Sequence, residues 1–369
     1  SVQGVESRAT PVWCRSGLIL GAGSPSAGTR NGDAMRRPSV TQSGSVLLGM
    51  GAVLAMMVGL SLLVGGAELV VRYGSRLARQ IGVPPVVVGL TVVSLGTSAP
   101  ELAVAIEAAR TGAVSLAIGN LAGANLANLL LLLGIIAAFG SIHVARRTLR
   151  LDLPAVVIAT AILWLLLLDG WLRWIDGVVL LAVAAAYLVQ LIRPAGQRQA
   201  LADPQRFEGP RRAAIWRVVF HLAVVAAGIV ALVFGADWLV DAAVGIAQAS
   251  GVSNAMIGLT VVALGTTMPE LTTTIVSIAR REPGIGLGNL LGSSIFNITL
   301  VLGTSLLFLP RPVQPSPDLV GRYIPLLLAG TVGCAVLALT RKQLSRLEGA
   351  ILIVGYTACL TYVIVTNGH

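Results

Sequence analysis

Apolar residues run along this chain in unbroken blocks about twenty long, separated by short stretches rich in arginine, proline and glycine. Blocks of that length match the roughly 20 residues a helix needs to cross a hydrocarbon core of about 30 Å. They are continuous rather than alternating with period two, which argues against the strands of a membrane barrel. The pattern predicts ten spanning helices, at 46–71, 84–108, 113–138, 153–169, 174–192, 216–240, 254–279, 285–309, 322–340 and 348–366. The longest polar connection, 193–215, divides them five and five. Residues 1–45 are small, polar and Pro/Gly-rich, and are expected to be a disordered or non-native extension ahead of the true start, with Met35 and Met50 as candidate first residues.

Composition agrees. The 369 residues are 55% hydrophobic and 11% charged, with a mean hydropathy of +0.85, far too apolar for the surface of a soluble domain. The expected fold class is therefore an all-α integral membrane protein with the lipid bilayer as its surroundings. The net charge of +10 sits in short loops, where it sets orientation rather than implying a nucleic-acid partner. With the first helix starting outside, the inner loops hold seventeen arginines and lysines against four on the outer loops, Arg110, Arg173, Arg311 and Arg322. That bias predicts a plasma (inner) membrane protein with 193–215 in the cytoplasm and both termini outside. Cys14, Cys334 and Cys359, and His143, His221 and His369, are dispersed without metal-ligand spacing, and no cofactor is expected.

One segment breaks its own pattern. GLTVVSLGTSAPEL, 89–102, places Gly96, Thr97, Ser98, Pro100 and Glu101 inside a membrane-length apolar run, and 258–271 reads GLTVVALGTTMPEL. Glycines at 66, 82, 89, 96 and 119, Pro100, Glu101 and Asn128 all recur 169 residues later without insertion or deletion. Five spans per half is an odd number, so the second half enters the membrane from the opposite side. This predicts two inverted repeats, 46–192 and 216–369, with a binding site at their interface near the midplane.

The chemistry follows from what such a break costs. Pro100 removes a backbone donor and is expected to free carbonyls near Ser94 and Gly96. A carboxylate at the bilayer centre costs roughly 2.5–3.5 kcal/mol on insertion scales unless it is protonated or paired. No Lys, Arg or His lies in either broken stretch, which leaves a proton or a bound cation as the partner of Glu101 and Glu270. The hydroxyls of Thr97, Ser98, Thr266 and Thr267 and the amides Asn120, Asn128, Asn289 and Asn297 complete an all-oxygen set, suited to calcium or sodium rather than to zinc or copper. Two carboxylates are neutralised by one divalent or two monovalent ions, a natural basis for exchange. An intramembrane hydrolase with the glutamates as acid and base is disfavoured because their surroundings match. A passive channel is the third class.

GTSAPEL and GTTMPEL, each followed by GNLAGANLAN or GNLLGSSIFN, resemble the paired alpha-repeat signatures of the calcium:cation antiporter superfamily, in particular the prokaryotic sodium/calcium exchangers. The resemblance covers 46–369. It implies ten helices that bind calcium through Glu101 and Glu270 with Thr97 and Thr266. It also implies that carbonyls at Ser94 and Ala263 and hydroxyls at Ser98, Thr267 and Ser293 serve calcium or flanking sodium sites, beside the amides Asn128 and Asn297 of the oxygen set above. The implied activity is antiport of calcium against sodium by alternating access, with calcium/proton antiport on the same glutamates as the alternative. Two positions depart from the pattern. Ala124 stands where many members have serine, which puts the sodium stoichiometry in question. Asn297 stands where several have aspartate, which resembles potassium-independent members.

Overall fold

The structure, a computed structural model, describes residues 42–140, 142–201, 211–249, 263–341 and 343–367. Among them eight helices are long and apolar enough to cross a membrane, and the bent pair Pro85–Thr97 and Ala99–Arg110 makes a ninth crossing if taken as one span. The protein is an all-α membrane protein. Of the seventh expected span, 254–279, the first part lies outside the described residues, as does most of the extension expected over 1–45.

In chain order the helices are α1 (Gln42–Ile81), α2 (Pro85–Val88), α3 (Ser94–Thr97), α4 (Ala99–Arg110), α5 (Val114–Leu126) and α6 (Leu133–Phe139), then α7 (Leu153–Leu167) and α8 (Trp174–Leu201). The second half has α9 (Arg211–Ala249), α10 (Ala263–Thr266), α11 (Met268–Ala279), α12 (Pro283–Phe296), α13 (Leu302–Leu306), α14 (Ile324–Arg341) and α15 (Arg346–Asn367). Helix α8 runs on to Leu201 and α9 begins at Arg211, so both enter the stretch expected to be loop, and α1 begins at Gln42 rather than 46. Hydropathy marks where a helix leaves lipid, not where it ends, and Ala, Gln and Arg beyond residue 194 are good helix formers in water.

Small residues let the backbones meet. A Cβ on Gly59 would lie 2.9 Å from the Gly235 carbonyl, and one on Gly66 would lie 2.6 Å from that of Gly228. Gly59 and Gly228, like Gly66 and Gly235, stand 169 positions apart. The crossing of α1 on α9 is thus the same residue pair used twice, the pattern of a two-fold-related contact. Gly134 meets Gly349, joining α6 to α15, and Gly303 meets Gly177, joining α13 to α8. The loops echo this pairing. Strand β1 (Ile142–His143) pairs antiparallel with β2 (Gln343–Leu344), and Leu172 bridges Val313.

Helix α12 sits at the centre. Its span Pro283–Leu306 is 94% buried and Val114–Phe139 is 72% buried, whereas every other candidate span is below 40%. Those outer helices carry Leu54, Trp216, Phe234 and Val354 on open faces, as lipid contact requires. Gly89 and Gly288 let the start of the broken helix lie against α12, the Gly89 Cα facing that of Gly288.

Candidate functional site

The break expected from GTSAPEL is present and local. A π-helical turn, Gly89–Val93, leads into α3, Ser98 then turns at φ −83° and ψ 7°, and α4 departs at 47°. Pro100 falls in the first turn of α4, where its missing N–H costs nothing, and has none to offer the Gly96 carbonyl. The Ser94 carbonyl, expected to be freed, instead accepts the Ser98 N–H at 3.0 Å, because the last turn of α3 closes before the proline acts. Glu101 lies in the first turn of α4, at the positive end of a helix dipole. The second break repeats this: Thr267 turns at φ −92° and ψ 1°, and Pro269 and Glu270 open α11. Each break therefore manufactures a helix N-terminus at membrane depth and places a carboxylate on it.

Most of the expected site residues come together out of solvent. Ser94, Thr97, Ser98, Glu101, Asn128, Thr267, Glu270, Ser293 and Asn297 are each at most 5% exposed. Thr266 is half-buried, and Ala263 opens α10 at the edge of the described residues. Glu101 and Glu270 are close enough to repel each other. Ser293 Oγ donates to Glu270 Oε1 at 3.3 Å and lies 3.4 Å from Thr97 Oγ1, which donates to Asn289 Oδ1 at 3.0 Å. Residues from α3, α11 and α12 thus form one network across the two halves. Ser94 stands apart in one respect. Its hydroxyl turns back to the Leu90 carbonyl at 2.8 Å, under Gly292, and away from the carboxylate network.

Asn125 is a member the sequence reading did not single out. Its Nδ2 donates to the Ser294 carbonyl at 2.8 Å, and its Oδ1 accepts from Asn297 Nδ2 at 3.1 Å. The partners Asn125 and Ser294 are themselves 169 apart, a signal that was present in GNLAGANLAN and GNLLGSSIFN. Its consequence is orientational. With Nδ2 of Asn297 committed to Asn125, its Oδ1 is the atom left to face elsewhere. The π-helical turns Ala127–Leu132 and Asn297–Val301 contain the repeat-related amides Asn128 and Asn297, and such turns commonly mark functional positions.

Of the buried oxygens that have no hydrogen-bond partner among the described residues, five belong to expected site residues: Ser98 Oγ, Glu101 Oε2, Asn128 Oδ1, Glu270 Oε2 and Asn297 Oδ1. Buried polar atoms are ordinarily satisfied, so five orphan oxygens among the expected site residues call for a shared electrophile. Among the described residues no three of His, Cys, Asp and Glu gather to hold a metal. The donor set is two carboxylates with hydroxyls and amides, the chemistry of a hard cation.

The sequence model of the sodium/calcium exchanger protein family matches residues 51–193 and 220–365. The chain belongs to the sodium/calcium exchanger family. A putative antiporter, CaxA of Alkalimonas amylolytica, is 32% identical over 83% of this chain and 96% of its own length. The sodium/calcium exchanger MaX1 of Methanosarcina acetivorans is 28% identical over 83% of this chain and 97% of its own. The inner membrane protein YrbG of Escherichia coli is 34% identical over 70% of this chain and 81% of its own. The solved structure of the sodium-calcium exchanger NCX_Mj soaked with 10 mM Na+ and zero Ca2+ superposes with a TM-score of 0.73 at 28% identity, covering 86% of this chain and 99% of that one. As a member of this exchanger family the protein is a cation antiporter and not an enzyme.

Several acidic residues outside this site have structural partners. Asp169 pairs with Arg173 at 2.9 Å, Asp176 caps α8 by accepting the Arg173 N–H at 2.7 Å, and Glu68 pairs with Arg280 at 2.6 Å. Asp152, one residue before an expected span, is fully buried and accepts from Tyr187 Oη at 3.0 Å, tying the foot of α7 to α8.

Proposed function

We propose that the protein is an inner-membrane antiporter that exchanges calcium for sodium by alternating access, with the two ions competing for the Glu101–Glu270 site. The observation that carries this reading is the set of five partnerless buried oxygens on the expected site residues, two of them on the neighbouring carboxylates Glu101 and Glu270. Calcium takes about 6–8 oxygens and requires most of its charge to be met by the protein. In this reading Glu101 and Glu270 supply two negative charges, joined by Thr97 and Thr266 and by the carbonyls of Ser94 and Ala263. Sodium occupies flanking positions lined by Ser98, Thr267, Ser293, Asn128 and Asn297. Two carboxylates left bare cost several kcal/mol in an apolar interior, so the site is pressed to hold either one calcium or compensating sodium before it moves.

Inverted five-helix repeats, 46–192 and 216–369 around the 193–215 connection, supply the two faces. The doubled motifs at an offset of 169 and the reciprocal glycine pairs between α1 and α9 support this arrangement. In it, α1 and α9 exchange equivalent contacts, so the site opens to either side at similar cost. The transport test is calcium uptake into proteoliposomes under an imposed sodium gradient and, separately, an imposed proton gradient. Uptake driven by sodium and not by protons is the expected result. Uptake driven by protons alone replaces sodium with protons as the coupled ion.

Orientation has its own test. A cysteine placed within 202–210 is expected to be shielded from impermeant thiol reagents in intact cells, and one after Asn367 to be labelled. The reverse pattern overturns the topology drawn from arginine placement.

Selectivity is expected to turn on Ala124 and Asn297. Ala124 is buried at the position equivalent to Ser293, which bonds Glu270. Ala124→Ser therefore adds a hydroxyl on the side of Glu101, and sodium is expected to compete with calcium several-fold more strongly, read from the inhibition constant. In Asn297→Asp the side chain faces Asn125 Oδ1, an acceptor, and must be protonated to keep that bond. Calcium transport by this variant is expected to shift its pH dependence relative to the parent or to gain a potassium dependence, measured in liposomes over pH and potassium series. Both changes are nearly isosteric, which limits packing artefacts.

A further inference from the structure

Away from the ion site, the end of α1 and the end of α11 enclose a polar cleft of about 310 Å³ lined by Glu68, Arg72, Ser75, Arg76, Arg79, Arg280 and Glu282. Four guanidiniums face two carboxylates there, a surplus of two positive charges. The carboxylates are taken: Arg79 Nη1 lies 2.8 Å from Glu282 Oε1, and Arg280 Nε lies 2.6 Å from Glu68 Oε2. Arg72 makes no hydrogen bond or ion pair among the described residues, and Arg76 lies over the Tyr73 ring at 5.0 Å. Ser75 adds an independent sign. It is 1% exposed, lines the cleft, and its hydroxyl has no partner among the described residues. Two unpaired guanidiniums and an unspent hydroxyl donor make an acceptor-seeking surface, and the volume stands at the lower end of small-molecule sites, roughly 300–1,000 Å³.

The neighbours say what kind of anion reaches it. Tyr73 packs its ring 5.9 Å from Phe220 and 5.8 Å from His221 on α9, and beside these Trp216, Val219 and Phe220 stand 46–71% exposed. Aromatic side chains of this kind settle at the level of the headgroups. The cleft is therefore level with lipid phosphates, flanked by an apolar face that suits an acyl chain, on the arginine-rich side of the molecule. Basic pockets between helices on that side are suited to anionic lipid.

We propose that this cleft binds the phosphodiester headgroup of an anionic phospholipid, with Arg72 and Arg76 facing the phosphate and Ser75 donating to one of its oxygens. Because Glu68 and Arg79 belong to α1, and Arg280 and Glu282 to the turn that joins α11 to α12, the bound headgroup ties α1 to the turn between two helices that carry ion-site residues.

The test uses the purified full chain in neutral detergent, titrated with phosphatidylglycerol, with phosphatidylcholine and with inorganic phosphate, and bound lipid counted by native mass spectrometry. Phosphatidylglycerol is expected to bind in preference to phosphatidylcholine. The double variant Arg72→Gln/Arg76→Gln is expected to bind it on the order of 10–30-fold more weakly, given about tenfold per 1.4 kcal/mol and about 1 kcal/mol per basic residue near the headgroups. Arg72→Lys/Arg76→Lys retains most of the binding, and Ser75→Ala, which keeps the charge, weakens it several-fold. If the glutamine variant does not fold, Ser75→Ala decides. Equal affinity of parent and Ser75→Ala, or no preference for phosphatidylglycerol, overturns the site, and displacement of lipid by millimolar phosphate overturns the choice of lipid over free anion. The readout is lipid binding, so its failure leaves the transport reading untouched.

Discussion

Glu101→Gln and Glu270→Gln are each expected to abolish calcium transport while leaving the protein folded in the membrane. Glutamine keeps the shape, and at Glu270 it still accepts from Ser293, whose hydroxyl lies 3.3 Å away. What it removes is one of the two charges that hold a divalent ion. Calcium affinity depends steeply on how many charged ligands surround it, and the expected loss is on the order of 100-fold or more in affinity, equivalent to about 3 kcal/mol. Folding should not suffer. A neutral amide at membrane depth is easier to bury than a carboxylate, and the remaining glutamate loses its repulsive neighbour. The measurement is calcium uptake by purified variants in proteoliposomes alongside thermal unfolding. Near-normal uptake by either variant rejects the paired-carboxylate site.

Gly288→Leu is expected to destroy the fold. A Cβ at Gly288 meets the Val86 carbonyl and lies 2.9 Å from the Leu90 nitrogen and 3.0 Å from the Gly89 Cα, all backbone atoms that have no rotamer to escape into. Helix α12 is the most buried span, with Asn289 and Ser293 along it, so pushing it from the broken helix also pulls apart the Thr97–Asn289 and Thr97–Ser293 contacts. Even one added methyl in a tight interface costs roughly 1–3 kcal/mol, so Gly288→Ala is expected to lower the unfolding temperature measurably, and leucine to leave little folded protein. Gly140, with open space around its missing Cβ among the described residues, is the control, and alanine there should be tolerated. Equal stability of Gly288→Ala and Gly140→Ala contradicts the close crossing.

Much of this was legible in the sequence because the informative residues are expensive where they stand. Proline and glutamate inside an apolar block have few structural uses, and their recurrence 169 positions later marks a site shared by two halves. What stayed hidden depends on contacts between distant segments. The π-helical turns at Asn128 and Asn297 are properties of packing, not of local propensity. Asn125 looks like any small polar residue in its helix until its partner, Ser294, is seen across the interface. Asp152 falls one residue outside the expected span 153–169 because hydropathy registers lipid contact and cannot see Tyr187 approaching from α8. The helical extension of α8 to Leu201 was missed for the same reason, since a helix in water leaves no apolar trace.

The central claim is that calcium and sodium compete for one pair of carboxylates. Its most direct test is equilibrium binding of radioactive calcium to the purified protein across a series of sodium concentrations, repeated with Glu101→Gln and Glu270→Gln. The account predicts one calcium per chain, an apparent dissociation constant that rises with sodium without reaching a plateau, and no measurable binding to either variant. Calcium binding that levels off at high sodium, or that survives in both glutamine variants, would contradict it.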